Sequence, residues 1–271
     1  MTTTTVYVPL DGSERAEAAL GPAMAVAARA GAALVLLSAR WPNAGPDTPG
    51  DYLDARAAFL DQPAQTWFVP DREPAAAILL AAQAPDALVC MATHGRGALR
   101  TAVLGSVAEE VVRTSPTPVV LVGPSFEPEW ELGDAPVVLA GLDGSTTSRA
   151  AARATGQLAA SIGARVRAVE VLQPRDVVAV GQFPGGDVDM LEDVVRELST
   201  RGIPAEYEVI DGFDPADTLV HDASDRHAAF IALASHGRSG LARTALGSVS
   251  MRVVRHARCP VLVAGPECAA G

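Results

Sequence analysis

Two segments of this chain carry the same spacing of small residues, and that spacing could hold an anion. They read ATHGRGALRTAVLGSVAEEVV from residue 92 and ASHGRSGLARTALGSVSMRVV from residue 234, with 11 of 21 positions identical. Each contains a small residue, a glycine three positions later and a Gly-Ser pair ten positions beyond that. A glycine loop lets backbone N–H groups approach phosphate oxygens, and a helix start adds free amides and a positive dipole end. The motif therefore predicts an anion-binding cradle in each copy.

An aspartate accompanies each glycine motif, at the end of another apolar run. Asp11 and Asp143 each stand before Gly-Ser and an alanine-rich stretch. This order predicts a strand, a turn and a helix with Ser13 or Ser145 as its N-cap. In an open doubly wound sheet, the carboxyl ends of strands one and four flank the ligand crevice. We therefore expect the aspartate and the glycine loop of each copy to share one site.

Several of these residues also have a purely structural interpretation. Asp-Gly-Ser is a frequent turn sequence, and Gly-Ser alone can simply begin a helix. His94 and His236 are expected to pack or to form hydrogen bonds, because their surroundings in the sequence show no Ser-His-Asp arrangement. Arg96 and Arg238 could contact phosphates or face solvent, and the sequence leaves both open. An acidic run is expected to form a solvated helix face rather than a metal site: Asp187, Asp189, Glu192 and Asp193. No catalytic and no metal-binding residue is predicted.

The composition narrows the class of protein. Hydrophobic residues make up 49% of the chain and charged residues 20%, as in a globular protein, and no apolar run is long enough to span a bilayer. The net charge of -11 disfavours nucleic acid and anionic membranes as partners. All 21 basic residues are arginine, so a Walker A loop with its lysine is excluded. The start, MTTTTVYVPL, lacks the features of a signal peptide, and three cysteines without C-x-x-C spacing fit a reducing compartment. We therefore expect a cytoplasmic protein.

The pattern of predicted elements repeats along the chain. Each half alternates five strands with four helical stretches, which predicts a parallel sheet covered by helices. The first helices should end near Gly31 and Gly163, an offset of 132 that grows to 142 at the glycine motifs. We predict one domain over residues 1–125, a linker over 126–136 and a second domain over 137–271. The second copy therefore carries ten extra residues between its second and third strands, within residues 172–201.

These spaced motifs resemble those of the universal stress proteins, twice in tandem and over nearly the whole chain. The resemblance rests on D-G-S after the first strand and on the glycine motif after the fourth, whose first glycine is here Ala92 or Ala234. It implies an α/β fold of two flavodoxin-like, Rossmann-like domains, each a five-stranded parallel sheet of order 3-2-1-4-5 with helices on both faces. It also implies ATP as the ligand, alone or with Mg²⁺.

The resemblance further implies which residues meet the nucleotide. Asp11 and Ala39, or Asp143 and Val171, would meet the adenosine part, and the glycine motif would hold the phosphates. The implied site of the first copy comprises Leu10, Asp11, Ala39, Ala92, Gly95, Arg96, Gly105, Ser106 and Val107. That of the second copy comprises Leu142, Asp143, Val171, Ala234, Gly237, Arg238, Gly247, Ser248 and Val249.

The favoured function is that of an ATP-binding stress-response regulator, and two alternatives stay open. A slow ATPase would need a general base and a metal site that the spacing does not offer. An interaction-only protein would have lost the nucleotide, as the alanines in place of the first glycine could indicate.

The fifth strands suggest how the two domains meet. The segments PVVLVG from Pro118 and PVLVAG from Pro260 are apolar, uncharged edges. Because such edges attract pairing partners, we expect them to pair antiparallel across an internal pseudo-twofold axis. A homodimer of the whole chain is left open.

Overall fold

The structure is a computed structural model, and it describes residues 3–40, 48–95, 104–173, 188–237 and 245–269. Strands and helices alternate along the described chain in the predicted order. The first half contains β1 (Thr5–Pro9), α1 (Glu14–Glu17), α2 (Leu20–Ala30), β2 (Ala33–Ala39), α3 (Pro49–Ala58), β3 (Gln65–Val69), α4 (Pro74–Ala82), β4 (Ala87–Ala92), α5 (Ser106–Thr114) and β5 (Val119–Val122). The second half contains β6 (Val137–Gly141), α6 (Thr146–Ile162), β7 (Arg165–Leu172), α7 (Val188–Thr200), β8 (Ala205–Asp211), α8 (Pro215–Asp225), β9 (Phe230–Ala234), α9 (Ser248–His256), β10 (Val261–Ala264) and a short 3-10 helix at Pro266–Ala269.

The strands of the described chain form one ten-stranded sheet in the order β3-β2-β1-β4-β5-β10-β9-β6-β7-β8. Neighbouring strands within each half are parallel, so the order 3-2-1-4-5 occurs twice. The predicted α/β fold is therefore confirmed. In the middle of the sheet β5 and β10 pair antiparallel, with Val120 opposite Leu262. This is the pairing that the two apolar edges predicted, and it joins the halves across a pseudo-twofold axis.

Apolar side chains form a core layer on each face of the sheet, and both layers run through both halves. One layer lies under α2, α3, α6 and α7, and it includes Val6 and Ile162. The other lies under α4, α5, α8 and α9, and it includes Val89 and Val253. The two halves therefore share their cores across the junction and do not merely touch through their surfaces.

Two glycines let the halves approach closely at this junction. A Cβ on Gly123, after β5, would overlap the carbonyl oxygen of Val254 in α9. A Cβ on Gly265, after β10, would overlap the carbonyl oxygen of Val112 in α5. Both glycines and both valines are related by the offset of 142 residues. Each half thus presses the end of its fifth strand against the last helix of the other half.

The helices after the Asp-Gly-Ser turns begin and end as predicted. The Ser13 hydroxyl accepts a bond from the N–H of Ala16, and Ser145 caps α6 in the same way. Both helical stretches end at a glycine in the left-handed region, Gly31 with φ 63° and Gly163 with φ 66°. Glycine suits this conformation because it has no Cβ.

Only the second of these helical stretches is continuous, although the sequence predicts one helix in each half. In the first half the helix is interrupted between α1 and α2. Pro22 lacks the N–H that would bond to the carbonyl oxygen of Ala18, so the α-helical ladder breaks there. Ala154 stands at the equivalent position of α6, which runs unbroken from Thr146 to Ile162.

The segment between the halves, residues 123–136, packs against both of them. Trp130 donates its Nε1–H to the carbonyl oxygen of Ala229 at 3.0 Å, and its ring lies edge-on to Phe230 at 5.6 Å. On the other side, Arg29 of the first half donates to the carbonyl oxygen of Gly133 at 2.6 Å. The segment predicted as a linker is therefore part of the packed structure.

Cys90 is a core residue and is 1% exposed. Its thiol lies 3.5 Å from the carbonyl oxygen of Ala19. Burial raises the pKa of Cys90 to about 12, because a thiolate there would lose its hydration. In the described ranges, no helix combines the length and the apolar character needed to cross a bilayer.

Candidate functional site

A cleft opens at the carboxyl ends of β1, β2 and β4 in the first half. It encloses about 220 Å³ and reaches the first turn of α5. The residues that were predicted for this copy and line the cleft are Leu10, Asp11, Ala39, Ala92, Gly95, Gly105, Ser106 and Val107. Arg96 lies outside the described residues. The structure thus brings the aspartate and the glycine motif of the first copy together.

A second cleft occupies the equivalent place in the second half and encloses about 330 Å³. The predicted residues that line it are Leu142, Asp143, Val171, Ala234, Gly237, Gly247, Ser248 and Val249. Arg238 lies outside the described residues. The strands of the two halves run in opposite directions, so their carboxyl ends lie along opposite edges of the sheet. The two clefts therefore open at opposite edges.

Each candidate aspartate holds the turn that follows it. Asp11 Oδ1 accepts hydrogen bonds from the backbone N–H of Ser13 at 3.0 Å and from its hydroxyl at 2.6 Å. Asp143 Oδ1 accepts the same two bonds from Ser145, at 3.1 and 2.6 Å. The structural interpretation of Asp-Gly-Ser as a turn is confirmed. The same carboxylates also line the clefts, so the two interpretations of these aspartates are compatible.

Gly95 and Gly237 allow these carboxylates to approach the glycine loops. A Cβ on Gly95 would overlap Oδ2 of Asp11, and a Cβ on Gly237 would overlap Oδ2 of Asp143. The glycine spacing predicts a close approach of backbone to phosphate at these positions. In the structure, the close approach is to a carboxylate, and a side chain at either glycine would displace the aspartate.

Gly105 and Gly247 connect the last helix of each half to the strand before the loop. The N–H of Gly105 donates to the carbonyl oxygen of Thr93 at 2.8 Å, and that of Gly247 donates to Ser235 at 2.7 Å. A Cβ on Gly105 would lie 3.1 Å from the same Thr93 oxygen. These two amides are therefore engaged within the protein, so an anion would meet the amides that follow them.

The first turns of α5 and α9 begin without a side-chain cap. Gly105 and Gly247 are the N-cap residues, and neither has a side chain to offer, unlike the serines at the starts of α1 and α6. The first amides of a helix have no partner within the helix. Ser106 and Ser248 begin these helices and line the clefts. Each helix therefore presents N–H groups, a hydroxyl and its positive dipole end to a cleft.

The two histidines form hydrogen bonds beside the clefts, as expected. His94 Nδ1 lies 2.9 Å from the hydroxyl oxygen of Thr93, and His236 Nδ1 lies 3.1 Å from that of Ser235. In the second half, the Thr147 hydroxyl also donates to the carbonyl oxygen of His236 at 2.7 Å. This bond ties the start of α6 to the loop that follows β9.

The acidic residues of α7 form a solvated face, as the sequence indicated. Asp189, Glu192 and Asp193 are exposed, and Asp187 lies outside the described residues. Asp193 pairs with Arg196 at 2.8 Å. Within the part of the chain that the structure describes, no group of three His, Cys, Asp or Glu side chains is arranged to hold a metal.

Sequence reasoning missed the walls of the clefts. The larger apolar wall residues are Leu37, Ile78 and Met91 in the first cleft and Val169, Leu219 and Leu233 in the second. In the sequence they resemble ordinary core residues, because the residue type alone does not distinguish a side chain that lines a cleft from one in the core.

Sequence reasoning also missed Ser38 and Glu170, which line the two clefts at the ends of β2 and β7. These two did leave a signal, since each is a polar residue inside an apolar run, ALVLLSA and RVRAVEV.

The doubled fold and its clefts match known proteins. A sequence model described as the Universal stress protein family matches residues 2–123 and again residues 136–265. A universal stress protein of Mycobacterium tuberculosis is 33% identical over 187 residues, which cover 65% of this chain and 61% of that protein. The match to this relative therefore spans about three fifths of its length.

Further comparisons agree with this assignment. A universal stress protein of Methanocaldococcus jannaschii is 30% identical over 133 residues, which cover 45% of this chain and 76% of that protein. Among solved structures, a universal stress protein from Archaeoglobus fulgidus aligns with a TM-score of 0.69 and 21% identity. The alignment covers 98% of this chain and 99% of that one, and it shows the same fold. The chain belongs to the universal stress protein family and carries the family domain twice.

Proposed function

We propose that this protein binds ATP in its first cleft and acts as a nucleotide-dependent regulator of a stress response, without turnover. One observation carries the proposal: an apolar wall, the Asp11 carboxylate and the uncapped start of α5 surround a single space. A small-molecule site is typically such a concave, mostly apolar space with a few convergent polar groups.

The apolar part of the cleft suits a purine. Leu37, Ile78 and Met91 offer aliphatic surface on which a flat base can be buried. Asp11 lies beside this wall and can accept hydrogen bonds from ribose hydroxyls, which are donors. Ala39 ends β2 at the same edge of the sheet, where its backbone groups can meet the base.

The start of α5 suits the phosphates. Ser106 and Val107 belong to its first turn and line the cleft. Anions bind readily at a helix N-terminus, because the amides and the helix dipole both favour negative charge. A chain with a net charge of -11 needs such a local positive site to attract a nucleotide. Mg²⁺, where it accompanies ATP, is held largely by the phosphates and water.

We propose binding without turnover because the titratable groups beside the loop form hydrogen bonds within the protein. Hydrolysis requires a positioned base that activates water. His94 Nδ1 is occupied by Thr93, and Asp11 Oδ1 holds the turn at Ser13. These contacts favour a regulator that changes with the bound nucleotide over an enzyme that consumes it.

Calorimetry on the full chain with ATP, ADP and AMP tests this proposal. We expect binding with a Kd at or below the millimolar range, which is about the weakest useful affinity. The informative variant is Ser106→Asp, because an acidic residue in the first turn stabilises a helix while it repels phosphate. Loss of binding with an unchanged or higher melting temperature supports the proposal. Ser248→Asp, in the second cleft, is the matched control that leaves the first cleft intact.

Two results would contradict the proposal. Absence of heat with all three nucleotides, and of any co-purified nucleotide in the mass spectrum of the denatured protein, would favour an interaction-only protein. Sustained phosphate release from ATP with Mg²⁺ would instead make the protein an ATPase.

A further inference from the structure

The last helix of each half connects its own cleft to the other half. α5 begins at Ser106, which lines the first cleft, and α9 begins at Ser248, which lines the second. Each helix has nine residues and is about 13 Å long. The far end of α5 contacts Gly265 after β10, and the far end of α9 contacts Gly123 after β5. A change at one cleft can therefore reach the half that contains the other cleft.

These contacts are made by backbone atoms, which leaves no flexible side chain between them. A Cβ on Gly265 would overlap the carbonyl oxygen of Val112, which lies in the last turn of α5. Closely packed atoms in a protein interior transmit strain, because there is no free space in which a displacement can be absorbed. A shift or a stiffening of α5 should therefore be passed to the chain that follows β10.

Hydrogen bonds extend the contact of α5 to the backbone beside the second cleft. Ala264 precedes Gly265, and its carbonyl oxygen accepts the N–H of Ser235 at 2.8 Å. The carbonyl oxygen of Ser235 accepts the N–H of Gly247 at 2.7 Å, and Gly247 is the N-cap residue of α9. The start of α5 is thus joined to the start of α9 through backbone groups.

The path back from α9 uses the equivalent groups of the first half. α9 contacts Gly123 through the carbonyl oxygen of Val254. The carbonyl oxygen of Val122 accepts the N–H of Thr93 at 3.0 Å, and the carbonyl oxygen of Thr93 accepts the N–H of Gly105 at 2.8 Å. Gly105 is the N-cap residue of α5, so the two paths close on each other. We call this closed set of contacts the backbone ring.

We propose that a nucleotide in the first cleft stabilises the backbone at Ser235 and Gly247, beside the second cleft, through the backbone ring. This inference rests on the proposed function of the first cleft. An anion at the start of α5 restrains that helix, because it bonds to the amides of the first turn. The ring shares this restraint with the second half. A ligand of the second cleft then has less ordering to impose, so the coupling between the clefts is positive.

Amide hydrogen exchange, followed residue by residue by NMR, measures this coupling. The Ser248→Asp chain is compared with and without saturating ATP, so any effect of the substitution itself cancels. We expect ATP to slow exchange at the amides of Ser235 and Gly247 about fivefold, which is the low end of typical coupling between sites. The amide of Val166 is the internal control, because it bonds to Pro204 outside the ring and should keep its exchange rate.

A substitution in α5 tests the ring without a ligand. Glu110 is exposed and lines neither cleft, and Glu110→Gly lowers the helix propensity of α5. We expect the amides of Ser235 and Gly247 to exchange roughly threefold faster, in line with the difference in helix propensity. Ala55→Gly is the matched control, because Ala55 is exposed on α3, which packs on β2 and β3 outside the ring. It should leave both amides unchanged.

The outcomes separate this inference from the proposed function. If calorimetry shows ATP bound to the Ser248→Asp chain while exchange at Ser235 and Gly247 stays the same, the inference is wrong and the proposed function stands. Equal effects of Glu110→Gly and Ala55→Gly would also overturn the inference, because exchange would then follow global stability. Absence of ATP binding to the Ser248→Asp chain would overturn the proposed function and this inference together.

Discussion

Asp11 in the first half and Asp143 in the second hold the same turn, with distances of 3.0 and 3.1 Å to the serine amide. The glycine loops also keep the same close approach to these carboxylates in both halves. The side chains at the ends of β2 and β7, by contrast, are a serine and a glutamate. Residues that shape the backbone are thus kept in both copies, while part of the cleft lining differs. The backbone frame of the cleft and part of its lining are therefore separable features of this fold.

The outer parts of the two halves differ more. Arg167 in β7 is nearly buried and contacts Asp222 at 3.3 Å, Glu206 at 3.4 Å and Glu208. Val35 stands at the equivalent position of the first half and packs as an apolar residue. Charged residues also line the β8 edge of the sheet, which opposes edge-to-edge pairing there. The second half therefore uses an ion network where the first uses apolar packing.

The largest effect on stability is expected at the junction of β5 and β10, where the two halves are alike and share a core. Leu262→Lys or Val120→Lys would bury a charge in the shared core, since both residues are 1% exposed. We expect the free energy of unfolding to fall by about 4 kcal/mol or more. Both halves should be affected, because the two core layers run through the junction. Denaturant unfolding measures the loss, and limited proteolysis within residues 123–136 reports separation of the halves.

Leu262→Met is the control for this prediction, because it preserves volume and should cost less than about 1.5 kcal/mol. An unchanged unfolding midpoint for both lysine variants would mean that β5 and β10 do not share a core.

The proline that interrupts the first helical stretch can be introduced into the second half, or removed from the first, by a single substitution. Ala154→Pro should interrupt α6 as Pro22 interrupts the helical stretch of α1 and α2. We expect the free energy of unfolding to fall by about 3 kcal/mol or more. The reverse change, Pro22→Ala, should shift stability by only about 1 kcal/mol, because the lost rigidity of proline offsets the gained hydrogen bond. Thermal melts compare the two variants, and amide exchange at residues 18–22 reports whether α1 and α2 fuse. Equal effects of the two changes would show that the interruption has a cause other than proline.

The ion network should contribute less than the shared core. Arg167→Val reproduces the first half and removes one of the two charge partners of Asp222, which is 13% exposed and keeps its pair with Arg226 at 2.8 Å. We expect a loss of about 2 kcal/mol, because Glu206 and Glu208 are accessible enough to regain water. Arg196→Ala removes an exposed pair and should cost less than about 0.5 kcal/mol. A similar small loss for Arg167→Val in chemical unfolding would show that the network is only a surface feature.

The smallest effect is expected at the helix starts beside the clefts. Ser248→Asp should stabilise the protein by about 0.5 kcal/mol through the dipole of α9. Ser106→Asp should stabilise it less, because the first turn of α5 already contains Glu109 while that of α9 has no acidic residue. Differential scanning calorimetry at low ionic strength resolves such a difference. Added salt should reduce both gains, and gains that persist in high salt would rule out the dipole as their cause.

Much of this fold could be predicted because its signals are local. Turn glycines and helix caps depend on neighbouring residues, so the helix ends at Gly31 and Gly163 could be predicted from the sequence. The antiparallel junction was also predictable, because both edges are apolar. The break at Pro22 was overlooked although proline is a local signal, since it lies within an otherwise helical alanine-rich stretch.

The candidate site was predictable only in part, because a cleft is made by distant segments. The aspartate and the glycine loop could be placed together by topology alone. The reason for Gly95 could not be predicted, because the overlap with Asp11 depends on the direction of one side chain. Ser38 and Glu170 could not be assigned to the clefts, because the sequence shows only that each is a polar residue inside an apolar run.

The junction between β5 and β10 also has a consequence for the way the two copies find each other. Two separate chains with these surfaces would dissociate on dilution and would form like pairs as well as unlike pairs. The fourteen residues between β5 and β6 turn this association into an intramolecular step, with an effective concentration that does not depend on the amount of protein. Every first half therefore meets a second half in a fixed ratio of one to one. Such obligatory unlike pairing is what allows the two clefts to diverge without losing the sheet that joins them.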